Sequence, residues 1–202
     1  MPAALPAAFY GRPVVEVARD LLGCVVRHGG GSGLIVETEA YHGSEPASHA
    51  FVGLTPRTAT LFGPAGIAYL YRSYGIHALL NAVCEDAPSG AAVLIRALEP
   101  LEGEAEMRAR RGRDRLEDLC SGPGKLTEAL GIDLDLNGTS LVDGPVRIEG
   151  PAARPPAIIA GPRIGITKAA DLPWRFCAAG SRFVSRPWPP GLLAGPLSPT
   201  AR

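Results

Sequence analysis

The chain has 202 residues, of which 46% are hydrophobic and 20% charged, and it contains 25 Gly and 20 Pro. These values are typical of one soluble globular domain with many turns, spanning residues 1–202. A formal net charge of zero argues against binding polyanions by bulk charge alone. No apolar run approaches the roughly 20 residues of a membrane span, and the N-terminus lacks a secretory signal, so we expect a cytoplasmic protein without membrane contact.

Charge and cysteine are distributed unevenly along the chain. The residues from 151 onward carry a net charge of +6, which fits either a local phosphate-binding face or a solvated basic surface. The four cysteines are far apart and form no Cys-x-x-Cys pair, so we expect neither a metal site nor a disulfide framework. Reduced, partly buried thiols are predicted at Cys24, Cys84, Cys120 and Cys177.

The first half of the chain reads as a helix, a hairpin and a long loop. Apolar residues at helical spacing over 12–23, with proline early and glycine after, predict a first helix. Two strand-like runs, 24–28 and 33–41, flank the sequence GGGSG and predict a hairpin. Residues 42–65 have no periodicity but contain histidine, proline and aromatic residues, so we expect an ordered, functional loop.

The second half continues with strands and short helices. Residues 67–85 predict strand, turn and strand, followed by a third strand over 91–99. A charged helix is predicted over 101–119 with a break near Gly112, and a short helix within 121–132. Short strands separated by Pro and Gly follow, and 189–202 are expected to form a flexible tail.

Two carboxylates share one side of the predicted strand 33–41. Because side chains alternate along a strand, Glu37, Glu39 and Tyr41 face the same way. Two carboxylates on one face repel unless a cation compensates them. Arg96 offers a guanidinium that can hold a carboxylate in a bidentate fork. Spacing alone favours the alternative, in which both glutamates are exposed on an edge strand.

Three of the five tyrosines fall within six residues, in the sequence YLYRSYGIH. Tyr69 and Tyr71 share one face of their strand and can form the floor of an aromatic pocket. Tyr74 is an odd number of residues from both, so it would face the opposite side of a strand, and it lies where the hairpin reverses. It either folds back over the hairpin or projects as a wedge able to enter a base stack. His49, alone in its loop, is weak evidence for a site.

Six segments together carry a family resemblance. In chain order they read IVETEAYHGSEPASHAF, TPR, FGPAGIAYLYRSYGIHALLN, VLIRALEPLEG, LCSGPGKLTEALGI and RIGITKAADLPWRF. This series closely resembles the alkyladenine (3-methyladenine) DNA glycosylase family over roughly residues 10–186. The resemblance implies a mixed α/β (α+β) domain with a curved, largely antiparallel sheet and packed helices, similar to the C-terminal domain of methionyl-tRNA formyltransferase.

The resemblance also implies an activity and roles for individual residues. A monofunctional enzyme of base excision repair would flip a damaged purine from duplex DNA and hydrolyse its N-glycosidic bond, leaving an abasic site. Glu39 would activate water, supported by Arg96, and Tyr74 would fill the gap in the duplex. The base pocket would comprise Tyr41, His49, Tyr71 and Asn81. Contacts to the DNA backbone are expected from Arg57, Arg72 and Lys168.

Substrates and cofactors follow from the same likeness. A cationic purine such as 3-methyladenine stacks well on tyrosines and is a good leaving group, and 7-methylguanine, hypoxanthine and ethenoadenine are further candidates. No lysine lies in the matched pocket segments to form a Schiff base, so strand cleavage is not expected. No metal or other cofactor is required, and a single DNA-binding face fits a monomer.

Two positions depart from the family pattern. Arg72 and Ser73 precede Tyr74 where an apolar pair is usual, and Thr58 stands where asparagine is usual, which puts one turn or pocket contact in doubt. Two other classes remain: a non-catalytic binder of distorted DNA, and an unrelated hydrolase or formyl-transfer enzyme on the same scaffold. A pure binder has no use for Glu39, since a carboxylate repels phosphate, and the other enzymes have none for Tyr74.

Overall fold

The computed structural model describes residues 3–151 and 156–193. The α-helices in that part of the chain are α1 (Ala7–Tyr10), α2 (Val14–Asp20), α3 (Glu104–Arg111), α4 (Leu116–Leu119) and α5 (Pro123–Leu130). The β-strands are β1 (Val25–His28), β2 (Gly31–Tyr41), β3 (Ala68–Ser73), β4 (His77–Cys84), β5 (Ala91–Glu102), β6 (Arg147–Glu149), β7 (Ile158–Gly161) and β8 (Arg175–Ala178).

The strands form one curled sheet in which every described pair is antiparallel. Its main order is β3-β4-β5-β2-β1-β6, and β8 pairs with both β2 and β7. Strand β2 is central, because it pairs with β5 along one side and with β1 and then β8 along the other. The predicted mixed α/β domain built on a curved antiparallel sheet is confirmed. Its relation to the formyltransferase domain stays a prediction.

The two faces of the sheet have different tasks. Leu70, Leu80 and Ile95 point from neighbouring strands into the main hydrophobic core, where α2 and α5 pack. Because side chains alternate along each strand, the intervening positions point to the other face. That second face carries Tyr69, Tyr71, Asn81 and Arg96. The core therefore holds one face together and leaves the other for a site.

The predicted elements of both halves are largely present. The hairpin of β1 and β2 turns at Gly29 and Gly30, and the charged helix ends at Gly112, whose φ of 57° lies in the left-handed region. One-turn helix α1 is an addition to the predicted elements. Within the predicted tail, Leu192 is buried in a second apolar cluster with Val36, so that part packs on the domain. The rest of the tail, 194–202, lies outside the described residues.

The loop 42–65 is built from turns and two short 3₁₀ helices, His49–Val52 and Ala59–Phe62. Ala50 and Leu61 pack against Tyr69, which fastens the loop over the second face of the sheet. Thr58 is buried, and its Oγ1 donates to Gly53 O and accepts from Thr55 N. Thr58, which stands where asparagine is usual in the family, therefore stabilises the turn of this loop. Across the described ranges, no helix is long and apolar enough to cross a bilayer.

Candidate active site

The sheet register assembles the site. Tyr69 pairs with Asn81, Asn81 with Leu94, Leu94 with Glu39, and Glu39 with Arg175, so five strands contribute one row. Residues directly opposite each other on antiparallel strands present their side chains to the same face. Residues far apart in the chain thus meet on the face that the core leaves free.

An irregularity in β5 aims Arg96 at the two glutamates. Glu37 pairs with Ala97 and Thr38 with Ile95, so Arg96 has no partner in the register. Such bulges redirect a side chain, and they are frequent beside active sites. Arg96 Nε lies 3.1 Å from Glu37 Oε1, and its Nη1 lies 3.2 Å from Glu39 Oε2. One guanidinium therefore bridges both carboxylates.

Glu39 is fully buried and accepts three hydrogen bonds. Ile164 N donates to Oε1 at 2.7 Å, and Tyr41 Oη and Arg96 Nη1 donate to Oε2 at 2.8 and 3.2 Å. Burial and the neighbouring Glu39 raise the pKa of Tyr41, so its hydroxyl keeps the proton that it donates. An ionised carboxylate has about four lone-pair positions, so these contacts leave one for a further donor.

Glu37 holds the other side of Arg96. Its carboxylate accepts from Arg175 Nε at 2.7 Å and from the backbone N and Oγ of Ser185 at 2.7 and 2.9 Å. Glu37, Glu39, Arg96 and Arg175 together carry no net charge. The predicted pairing with Arg96 is confirmed, and the edge-strand alternative is wrong because both glutamates lie fully buried on central strand β2.

A cleft of about 700 Å³ opens over this cluster, within the usual size range of ligand sites. Tyr41, Arg96 and Ile164, the three donors to Glu39, are part of its wall. Tyr69 and Tyr71 stack with their ring centroids 5.5 Å apart, and His49 contacts Tyr71 edge-on at 4.5 Å. The expected aromatic pocket is therefore present, with Glu39 directly behind its wall.

His49 is held as a neutral ring in this pocket. Its Nδ1 lies 3.1 Å from Tyr69 Oη. Burial, and secondarily the nearby Arg57, lowers the pKa of His49. Burial raises the pKa of Tyr71 to about 12. The pocket therefore presents uncharged aromatic rings near neutral pH.

Asn81 is buried in the cleft wall, with its amide held from one side. Nδ2 donates to the carbonyls of Tyr69 and Leu79 at 3.1 and 3.2 Å. Within residues 3–151 and 156–193, Oδ1 of Asn81 has no hydrogen-bond partner. A purine edge placed in the cleft would therefore meet a fixed acceptor.

The tip of the β3–β4 hairpin stands at the mouth of the cleft. Tyr74 is 92% exposed, which excludes a ring folded back over the hairpin. Arg57 and Arg72 also line the cleft and are exposed. Lys168 is exposed but is not part of the cleft wall.

A basic side wall comes from the first turn of α5 and the end of α3, a contribution missing from the expected site. Lys125 lines the cleft there, with its Nζ 3.4 Å from Ser121 Oγ, and Arg111 pairs with Glu128. The segments that supply the aromatic residues contain no lysine, but the cleft extends beyond them and includes Lys125, so the absence of a lysine from those segments does not exclude one from the cleft.

Arg163 and Glu45 form a second buried ion pair, which residue spacing does not predict. Arg163 Nη1 and Nη2 lie 2.6 and 3.0 Å from the two carboxylate oxygens of Glu45. Arg163 and Arg175 are thus buried in ion pairs, which removes two members of the basic C-terminal third from any phosphate-binding face. Among the residues with described positions, no group of three His, Cys, Asp or Glu side chains is placed to hold a metal ion.

Comparison with known proteins identifies the family. Residues 8–182 match the family model of methylpurine-DNA glycosylase. A protein of Rhodopseudomonas palustris (strain BisB18), named "Putative 3-methyladenine DNA glycosylase", is 55% identical over 184 residues, which cover 91% of this chain and 92% of the relative. A protein of the same name from Methanoculleus marisnigri is 54% identical over 189 residues, covering 90% and 98%. The chain belongs to the methylpurine-DNA glycosylase family.

Proposed function

We propose that this protein is a monofunctional DNA glycosylase that flips a damaged purine out of duplex DNA and hydrolyses its N-glycosidic bond. The observation that carries the proposal is the position of Glu39, held by three donors directly behind an aromatic cleft. The names of the relatives, which mention 3-methyladenine, support the substrate class. Hypoxanthine, 7-methylguanine and ethenoadenine are the further candidates.

Hydrolysis needs a water oxygen at the anomeric carbon of the flipped nucleotide. In our proposal the water donates a hydrogen bond to the free lone-pair position of Glu39. Its oxygen bonds to C1′ as the C1′–N bond breaks, its proton passes to the carboxylate, and the base leaves with the bonding electrons. Arg96 holds the Glu39 carboxylate in place through its hydrogen bond, and the carboxylate stabilises the positive charge that develops on the sugar.

The pocket suits a purine that already carries positive charge. Alkylation at N3 or N7 makes the base a cation, which is attracted to the electron-rich faces of Tyr41 and Tyr71. A neutral His49 adds a flat surface without repelling that charge. Because an alkylated purine leaves as a neutral molecule, it needs little help from an acid. An uncharged base such as hypoxanthine would stack on the same rings without the cation–π attraction, so we expect the protein to excise it more slowly.

The exposed hairpin tip supports base flipping. A flipped nucleotide leaves a gap in the stack, and an aromatic side chain that enters the gap offsets part of the unstacking cost of a few kcal/mol. Tyr74 is placed for this role at the mouth of the cleft. Arg57 and Arg72 are exposed in the wall of the same cleft and can contact the phosphates on either side of the gap.

The test is a single-turnover excision assay on labelled duplexes that contain 3-methyladenine, 7-methylguanine, hypoxanthine or ethenoadenine. The wild type should release the damaged base, and strand breaks should appear only after alkali. Glu39→Gln should stop release while binding to the lesion duplex persists. Breaks before alkali would contradict a monofunctional enzyme and implicate Lys125 as a Schiff-base lysine. Unchanged release by the glutamine variant would contradict the role of Glu39.

The alternative, a non-catalytic binder of distorted DNA, makes a different prediction in the same assay. It requires tight binding to lesion or abasic duplexes and no release from any of them by the wild type. The buried, hydrogen-bonded carboxylate behind the cleft favours the enzyme, because a binding protein gains nothing from a glutamate at a phosphate-rich interface.

A further inference from the structure

Two of the three donors to Glu39 lie at or beyond the end of a regular strand. Ile164 lies outside the regular strands, and the Tyr41 ring stands at the end of β2. Both nevertheless contact the carboxylate at 2.7 and 2.8 Å. Their common neighbour is Arg163, which directly precedes Ile164 in the chain.

Arg163 is buried at a junction of several segments. Its guanidinium carbon lies 4.6 Å from the ring centroid of Tyr41 and 5.4 Å from that of Trp174. Its two terminal nitrogens donate to both oxygens of Glu45 and to the carbonyls of Ala40 and Ala169. A planar guanidinium can make this set of contacts at once, because its fork and its face are used together.

We propose that Arg163, clamped by Glu45, is a positioning residue that sets the Tyr41 hydroxyl and the Ile164 amide on the catalytic carboxylate. Stacking fixes the plane of the Tyr41 ring, and the four hydrogen bonds fix the peptide unit that carries the Ile164 N–H. Arg163 makes no hydrogen bond to Glu39, so it acts through these neighbours. The role as it bears on excision rests on the proposed function.

The clamp also joins two parts of the site. Glu45 belongs to the loop that carries His49 into the base pocket, and Ile164 belongs to the wall on the hydrolytic side. The buried ion pair between Arg163 and Glu45 thus fixes the distance between the loop that carries His49 and the cleft wall that contains Ile164. A misplacement of about 1 Å can reduce a reaction rate by about 100-fold.

The test compares Arg163→Met, Arg163→Lys and Glu45→Gln with Arg12→Met as a matched control. Arg12 also makes an ion pair, with Asp20 at 2.7 Å, and its guanidinium lies over Phe9 at 4.4 Å, but it is not part of the cleft. Thermal unfolding identifies the variants that fold. Glu45→Gln, which preserves side-chain size, carries the test if Arg163→Met does not fold.

The first readout does not depend on activity. Amide hydrogen exchange followed by NMR should be at least about 10-fold faster at Ile164 in Arg163→Met, with protection at the core residue Leu98 retained. Exchange at Ile164 should not change in Arg12→Met. Unchanged exchange at Ile164 in every folded variant of Arg163 and Glu45 would overturn the proposal, even if the wild type excised no base.

The second readout is excision. Arg163→Met should lower the single-turnover rate on the order of 10-fold to 100-fold, with affinity for the lesion duplex within about 3-fold of wild type.

The Arg163→Lys variant distinguishes the effect of the guanidinium geometry from the effect of its positive charge. Arg163→Lys restores a cation but not the fork, so its single-turnover rate and its exchange at Ile164 should stay close to those of Arg163→Met. Wild-type behaviour of the lysine variant would overturn the proposal, because it would show that a buried positive charge suffices. If the wild type excises nothing while exchange at Ile164 responds as expected, the proposed function fails and the positioning role stands.

Discussion

Replacing the tip tyrosine should make the protein more stable and less active. Tyr74 and Gly75 are the central residues of the turn closed by Ile76 N and Ser73 O, and their φ values are 50° and 73°. Both are positive, as in the type I′ turns that favour Asn-Gly. Left-handed backbone costs an ordinary L-residue about 1–2 kcal/mol, and asparagine tolerates it better. The turn therefore accommodates a tyrosine at a conformational cost.

The size of the effect follows from exposure. Because Tyr74 is 92% exposed, its removal sacrifices almost no packing, so the relief of backbone strain dominates. We expect Tyr74→Asn to raise the free energy of unfolding by about 0.5–1 kcal/mol. For a domain of this size that corresponds to an increase in Tm of about 1–4 °C. Losing about 1.5–3 kcal/mol of support for the flipped state should slow excision from duplex DNA by about 10-fold to 100-fold.

Differential scanning calorimetry and the single-turnover assay measure the two effects. Ile76→Asn is the matched control, since it makes the same polar change at the same hairpin tip, is 69% exposed, and lacks positive φ. Its Tm should stay within about 1 °C of wild type, as for most surface substitutions. A lower Tm for Tyr74→Asn would refute the strain argument, and undiminished excision would refute the wedge.

Two other predictions concern titration and thiol reactivity. Because burial and Arg57 lower the pKa of His49, the unfolded chain binds a proton there more readily than the folded protein, so stability falls as the pH drops below about 6.5. His49→Gln should lessen the loss seen in urea melts between about pH 7.5 and 5.5, and an equal loss would contradict this. All four cysteines are buried, and burial raises the thiol pKa to about 12 for Cys24, Cys120 and Cys177. A thiol reagent should label none in the folded protein and four in urea, so rapid native labelling would be inconsistent with the structure.

Local periodicity was sufficient for much of the fold and part of the site. Strand parity predicted that Tyr69 and Tyr71 share a face, and the structure stacks their rings. Gly112 predicted the break in the charged helix, which the structure places between α3 and α4, because a residue without Cβ tolerates the left-handed region. Both inferences concern residues close together in the chain, where spacing determines geometry.

Contacts between distant segments were not available from spacing. Arg163 and Glu45 are 118 residues apart, and neither position shows that the other is its partner. Arg96 reaches both glutamates through an irregular pairing that periodicity cannot reveal. The edge-strand interpretation failed for a related reason, since it requires knowing which strands flank β2. Lys125 was missed because the cleft continues past the aromatic segments.

Because the buried guanidinium groups are paired within the protein, we expect them to add nothing to the salt dependence of its affinity for DNA. Arg163 and Arg175 are matched by carboxylates and release no counterions from DNA. Among the residues whose positions are described, Arg57, Arg72 and Lys125 line the cleft without an ion-pair partner. Each neutralised phosphate contributes about −0.9 to the slope of log K against log salt. If these three residues contact phosphates as proposed, we expect a slope of about −3, a shallow dependence under which recognition of the lesion would rest on the uncharged rings of the cleft.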